Sequence, residues 1–249
     1  MKKHIPNTIT CCNLISGCIA TYYAFQGYYM SALIFIVIGA VFDFFDGMSA
    51  LFFIVIGAVF DFFDGMTARL LHVSSHIGKE LESLADDITF GFAPSAIVFS
   101  FLTSFHIHLP FVPFLAFFIA AFSALRLAKF NLDERQALGF IGLPTPANAL
   151  FWGALIWRLD FQKSFEPYTI PDFWLYIILA LIPISCYLLI SEIPMFALKF
   201  KTWGWKGNEL KYIFLLTCIP LLLFLGISGL AAIIAWYVIL SAIAYHKKE

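Results

Sequence analysis

Residues 31–66 read SALIFIVIGAVFDFFDGM followed at once by SALFFIVIGAVFDFFDGM, two copies that differ only at Ile34 and Phe52. How often this stretch crosses a membrane decides the topology of everything after it. Each copy is 18 residues, five turns of α-helix, so the duplication keeps every helix face in phase. One continuous helix over both copies would be about 54 Å long, against a hydrocarbon core of about 30 Å.

The rest of the chain settles the solvent. It is 61% hydrophobic and 12% charged, with mean hydropathy +0.89 and 30 Phe. A soluble domain is roughly 45–50% apolar and 25% charged. The expected fold is therefore all-α, a polytopic transmembrane helical bundle. The net charge of -1 says nothing about partners, and no basic block points to nucleic acid, so no nucleic-acid partner is expected. Cys11, Cys12, Cys18, Cys186 and Cys218 lie in apolar segments without metal-type spacing and read as small, buried, reduced hydrophobes. The start, MKKHIPNTIT, leads into a long apolar run with no small-residue cleavage pattern, which reads as a first span rather than a removed signal.

Apolar runs place spans near 8–28, 31–66, 85–105, 110–128, 143–158, 173–192, 211–225 and 228–245. Counting 31–66 once gives about eight crossings with both termini cytoplasmic. Of the 15 Lys and Arg, only Arg158 and Lys163 then fall outside, as the positive-inside rule requires. Counting the copies as two crossings leaves only Lys2, Lys3, Arg158 and Lys163 inside, and is rejected. Either copy 49–66 spans and copy 31–48 is displaced outward or folded back, or copy 31–48 spans and the later copy extends into the cytoplasm. An Asp at the bilayer centre costs roughly 2.5–3.5 kcal/mol on insertion scales, so neither DFFD pair belongs there. The layout predicts one integral membrane domain over 1–249, with a core of about 5–192 and a C-terminal helical pair at 211–245.

Chemistry concentrates downstream of the second copy, in DFFDGMTARLLHVSSHIGKELESLAD, Asp61 to Asp86. On a helix Asp61, Asp64, Gly65 and Ala68 share one face, and Gly78, Glu82 and Asp86 share another. Carboxylates without His or Cys suit hard cations such as Mg²⁺ or Mn²⁺. Glycines admit a close ligand, and Arg69 offers a planar fork for phosphate. Only the second copy runs on into Ala68–Arg69, at the right distance from Gly78 and Asp86; after the first copy the chain reads Ala50–Leu51. The site is assigned to the second copy.

This pattern resembles the signature of the CDP-alcohol phosphotransferase family, D-x-x-D-G-x-x-A-R, about eight residues, then G-x-x-x-D-x-x-x-D. Seven of its eight fixed positions match; Glu82 stands where the family has Asp. The resemblance implies a CDP-activated lipid substrate, an alcohol acceptor, release of CMP, and a two-metal site of Mg²⁺ or Mn²⁺. It implies that Asp61, Asp64 and Glu82 hold the ions, and that Asp86 is the catalytic base and a further metal contact. Gly65, Ala68, Arg69 and Gly78 would line the CDP site, together with Asn13 on the first span. Glu82 adds a methylene, and a displacement of about 1 Å can cost about 10²-fold, so reduced activity is expected.

Three further segments, DITFGFAPS (87–95), ALRLAKFN (124–131) and FIGLPTPAN (140–148), resemble the membrane-type phosphatidylserine synthase branch. That likeness implies L-serine as acceptor and CDP-diacylglycerol as donor, with Arg126 or Lys129 holding a serine carboxylate or a lipid phosphate. Both also fit as positive-inside anchors. The family precedent suggests a homodimer in the cytoplasmic membrane of a bacterium, with its site facing the cytoplasm. Another alcohol acceptor, glycerol 3-phosphate or inositol, is the nearest alternative. An impaired enzyme is suggested by Glu82 and the duplication. A transporter places its carboxylates near the midplane, unlike these at the cytoplasmic mouth. His72 and His76 read as loop residues and His106 and His108 as interface markers. Trp203 and Trp205, among the lysines of KFKTWGWKGNELK, read as an interfacial belt.

Overall fold

The computed structural model describes residues 5–44, 76–105, 109–133, 140–165, 171–196, 204–205 and 208–246. Helix α1 (Ile5–Phe25) stops at Gly27, whose φ of +76° is the left-handed turn that ends a helix without a β-carbon penalty. The Gly27 amide donates to the Ala24 carbonyl at 3.1 Å and that of Tyr28 to Tyr23 at 2.9 Å. Helix α2 (Tyr29–Phe44) then turns back along α1, with Tyr23 stacked on Phe35 at 5.6 Å. All of α2 but its first two residues, Tyr29 and Met30, belongs to the first repeat copy. Residues 49–66, and with them Asp61, Asp64, Gly65, Ala68 and Arg69, lie outside the described residues.

Next comes a single helical rod in three parts: α3 (His76–Asp86), a π-helical turn (Asp87–Phe92) and α4 (Ala93–Thr103). A 3₁₀ segment (Val112–Phe117) leads into α5 (Phe118–Leu132). Helices α6 (Thr145–Phe165) and α7 (Phe173–Ile190) follow, then α8 (Glu209–Leu225) and α9 (Gly229–His246). Two short strands, β1 (Phe140–Ile141) and β2 (Pro194–Met195), pair antiparallel beside α9. Gly142 has φ +75°, and a β-carbon there would meet the carbonyls of Leu189 and Ser191 at 2.8 and 2.9 Å. The chain turns here on this glycine, just before α6.

The rod is the axis of the core. Phe90, Ala93, Ile97 and Phe101 are fully or almost fully buried against Ala20 and Ala24 of α1, Ile36 of α2, Ile119 of α5 and Trp152 of α6. Small residues on α1 and on the rod let the helices approach closely, as membrane bundles require. Outward faces are the reverse of a soluble protein's: Tyr176 is 69% exposed, Leu223 79% and Phe224 89%. Such faces suit lipid rather than water. Five stretches among the described residues are long and apolar enough to span: Asn7–Phe25, Glu80–Thr103, Val112–Leu132, Phe173–Ile190 and Glu209–Tyr245. The last folds as two helices broken at Gly226. The chain is an all-α polytopic membrane protein.

Two expectations need correction. Only Cys186 is buried; Cys11 and Cys18 are exposed, because their positions on α1 face away from the rod. His76 begins α3 rather than lying in a loop, since the amphipathic pattern of IGKELES starts a turn earlier than the apolar run. His72, His106, His108 and Trp203 lie outside the described residues. Trp205 stacks on Tyr212 at 5.4 Å beside the start of α8, as an interfacial aromatic would.

Candidate active site

Gly78, Glu82 and Asp86 lie on one helix, α3, at the four-residue spacing that stacks side chains on a common face. Glu82 is exposed and Asp86 half-buried, so the row runs from the surface into the bundle. Asn13 of α1, 1% exposed, donates from Nδ2 to Asp86 Oδ1 at 2.9 Å. Its own backbone carbonyl accepts from Thr89 Oγ1 at 3.0 Å. Thr89 sits in the π-helical turn, and a β-carbon on Gly17 would come within 2.8 Å of its Cα. The glycine at 17 thus lets α1 lie close enough for Asn13 to reach Asp86.

The first repeat copy completes this layer. A β-carbon on Gly39 of α2 would lie 2.9 Å from Asn13 Oδ1 and 2.5 Å from Thr89 Cγ2. Asp43 follows Gly39 by one turn, on the same helix face and half-buried. The described part of the first copy, 31–44, therefore packs beside Asn13 and Thr89, while the second copy, to which the sequence assigns the site, lies outside the described residues.

Arg126 and Lys129, three residues apart on α5, have different surroundings. Lys129 is exposed and spent: its Nζ lies 3.1 Å from Glu192 Oε1 and donates to the Ile190 carbonyl at 3.4 Å. Arg126 is 6% exposed, donates from Nε to the Leu143 carbonyl at 2.9 Å, and lies over the Phe130 ring at 5.3 Å. Its Nη2 is buried with no hydrogen-bond partner. It stands within electrostatic reach of Asp86 and of Tyr237 on α9. A buried guanidinium with an unused donor, near a carboxylate, is a ready anion site. Sequence reading could not rank the two cations, because both sit near the C-terminal end of one helix.

The π-helical turn was not foreseen. An inserted residue widens the helix where Asp86 ends and Asp87 begins, and such bulges collect at functional sites. The DITFGF segment was noted for its likeness, not for this geometry. Among the described residues no three His, Cys, Asp or Glu side chains come together as a metal set. Glu82 and Asp86, one turn apart, supply carboxylate oxygens of the type that hard cations prefer, and so fit one side of such a site.

Comparison with known proteins bears on the family. The family model for CDP-alcohol phosphatidyltransferase matches residues 3–50 and again 48–244. The junction of the two matches falls where one repeat copy meets the other. A CDP-diacylglycerol–serine O-phosphatidyltransferase of Bacillus subtilis is 38% identical over 145 residues, 58% of this chain and 70% of the relative. One of Helicobacter pylori is 30% identical over 252 residues, 98% of this chain and 95% of the relative. One of Methanocaldococcus jannaschii is 35% identical over 59% of this chain and 57% of its own length. No solved structure matches. With matches over nearly its whole length, the chain belongs to the CDP-alcohol phosphatidyltransferase family.

Proposed function

We propose that this protein transfers the phosphatidyl group of CDP-diacylglycerol to the hydroxyl of L-serine, giving phosphatidylserine and CMP. The serine oxygen forms a bond to the lipid-side phosphorus, the pyrophosphate bond to CMP breaks, and the serine proton passes to Asp86. One observation carries the reading: Asn13 holds Asp86 at 2.9 Å while Arg126, within its electrostatic reach, keeps a buried unpaired donor. A fixed carboxylate oriented by an amide is a suitable general base. The neighbouring guanidinium suits the serine carboxylate better than Lys129, which is already paired with Glu192.

The ligands for Mg²⁺ or Mn²⁺ are Glu82 and Asp86 from α3 with a DFFD pair, Asp61 and Asp64, from the second repeat copy. A bound pair of ions would neutralise charge on the phosphate oxygens. Gly65, Ala68, Arg69 and Gly78 line the CDP side, and the register of Asp61 and Asp64 with Arg69 and Gly78 supports this set. A second reading has its own support: Gly39 packs on Asn13 and Thr89, so Asp43 and Asp46 of the first copy stand in for Asp61 and Asp64.

The chain works as one domain of about eight crossings with both termini in the cytoplasm, as the placement of 13 of 15 Lys and Arg supports. By family precedent it is a homodimer in a bacterial cytoplasmic membrane. The test is CMP release by membranes carrying the chain, given CDP-diacylglycerol and Mg²⁺ or Mn²⁺, with and without L-serine. Serine-dependent release is expected. Release with glycerol 3-phosphate or inositol instead would keep the chemistry and change the acceptor.

A further inference from the structure

Buried polar atoms are almost always hydrogen-bonded, so those left over in a packed bundle mark where a ligand or water belongs. Among the described residues the orphans are Asn13 Oδ1, Asp87 Oδ1, Ser123 Oγ, Arg126 Nη2, and both amide atoms of Asn148. They are not scattered. Asp87 opens the π-helical turn, and the other four residues lie on α1, α5 and α6, each of which packs against that turn. Ser123 and Asn148 are completely buried. Asp87 Oδ1 and Ser123 Cβ lie 2.6 and 3.0 Å from the point that a β-carbon on Gly91 would occupy. Glycine at 91 therefore keeps these two groups face to face. Ser123 lies one helical turn before Arg126 on α5.

We propose that Asp87, Ser123 and Asn148 form the subsite for the ammonium group of the acceptor, beside the Arg126 guanidinium that takes its carboxylate. An ammonium carries three donors and needs three acceptors. Asp87 Oδ1, Ser123 Oγ and Asn148 Oδ1 supply three, and the carboxylate balances the charge. An uncharged polyol or a phosphorylated one has no use for a buried carboxylate at this place, so Asp87 selects an amino-acid acceptor against such alcohols. Asp87 is half-buried, but burying its Oδ1 without a partner is costly, and a cationic group on the substrate relieves that cost only when the right acceptor is bound. The inference rests on serine being the acceptor.

The experiment is steady-state CMP release by the full chain in membranes, with CDP-diacylglycerol and either L-serine or 3-hydroxypropionate, which is serine without its amino group. In Asp87→Asn the KM for serine should rise about ten- to a hundredfold, the loss of one charge-assisted hydrogen bond. The KM for CDP-diacylglycerol and the rate with saturating 3-hydroxypropionate should stay within about twofold. Ser123→Ala, nearly isosteric and so a safeguard against misfolding, should raise the serine KM by a smaller factor in the same selective way. An unchanged serine KM in both variants, the mark of an internal water site, would overturn the proposal. So would an equal rise for both substrates. Wild-type protein that releases CMP with another alcohol but not with serine would overturn the acceptor reading and this subsite together. Wild-type activity with serine keeps the two apart.

Discussion

The two repeat copies differ at one side chain in eighteen, yet their surroundings in the chain pull in opposite directions. Upstream, the chain favours the first copy. Gly27 makes a tight turn into α2, and Tyr29 is buried, edge-on to Phe101 at 6.0 Å, with its hydroxyl donating to Ser100 Oγ at 3.4 Å. Sliding the register by one copy would put Gly47 where Tyr29 stands, losing the ring and the hydrogen bond. Downstream, the chain favours the second copy, which alone continues into Ala68 and Arg69. Each copy has one good neighbour, and among the described residues α2 takes the place beside Asn13 and Thr89. The lesson is that a helix face is specified by what flanks it as much as by its own residues. Here local and global preferences conflict, which is the definition of frustration.

The largest effect is expected at the residue both registers share. Asp86→Asn should lower serine-dependent CMP release by about 10²- to 10⁴-fold, the usual contribution of a general base. That loss must appear whichever copy is in place, so it calibrates the rest. Asp43→Asn and Asp61→Asn then separate the copies. The one whose carboxylate reaches the metal should cost about 10²-fold or more, and the other should stay within about twofold. A loss at Asp61 supports the register with Arg69; a loss at Asp43 supports the register that packs Gly39 on Asn13.

Removing either copy should have the opposite sign. Deleting 31–48 or deleting 49–66 leaves chains that differ only at Ile34 against Phe52. Both join Tyr29 and Arg69 to the same helix and end the conflict. Each deletion is expected to raise both the yield of folded protein in membranes and its CMP release several-fold. A drop in both chains would mean that the duplication is used, and that neither register alone builds the site.

Much of this was legible in the residues. Helix positions followed from the apolar runs, because a bilayer leaves helices almost no alternative. Asp86, Gly78 and Glu82 were legible because i, i+4 spacing survives any packing. What was not legible is which copy occupies the bundle, since eighteen residues keep the phase and hide the choice. Nor could spacing distinguish Arg126 from Lys129. That difference comes from Leu143 and Glu192, which reach α5 from elsewhere in the chain. The unpaired atoms of Asp87, Ser123 and Asn148 were invisible for the same reason: an orphaned hydrogen bond is a property of packing, not of sequence.

Glu82 offers a test of the metal side that ignores the copies. Restoring Asp at 82 shortens the side chain by one methylene and should raise turnover up to about 10²-fold if the carboxylate is misplaced by about 1 Å. No gain would mean that the site has adapted to the longer side chain, with a less exacting ion such as Mn²⁺ as the natural occupant.

The smallest expected effect is also the sharpest probe of the register. Gly39→Ala adds a methyl group that meets Thr89 Cγ2 at 2.5 Å and Asn13 Oδ1 at 2.9 Å, so it overpacks the layer that holds Asp86. Overpacking of this kind costs typically 1–3 kcal/mol. With the first copy in place, Gly39→Ala should lower the thermal midpoint of the detergent-solubilised protein and weaken the Asn13–Asp86 contact. Gly57→Ala, the same change in the second copy, should then be close to silent. If Gly57→Ala is the damaging variant and Gly39→Ala the silent one, the second copy holds the place beside Asn13. Because each substitution alters one methyl group and leaves every carboxylate untouched, the pair reports the register without presupposing the chemistry.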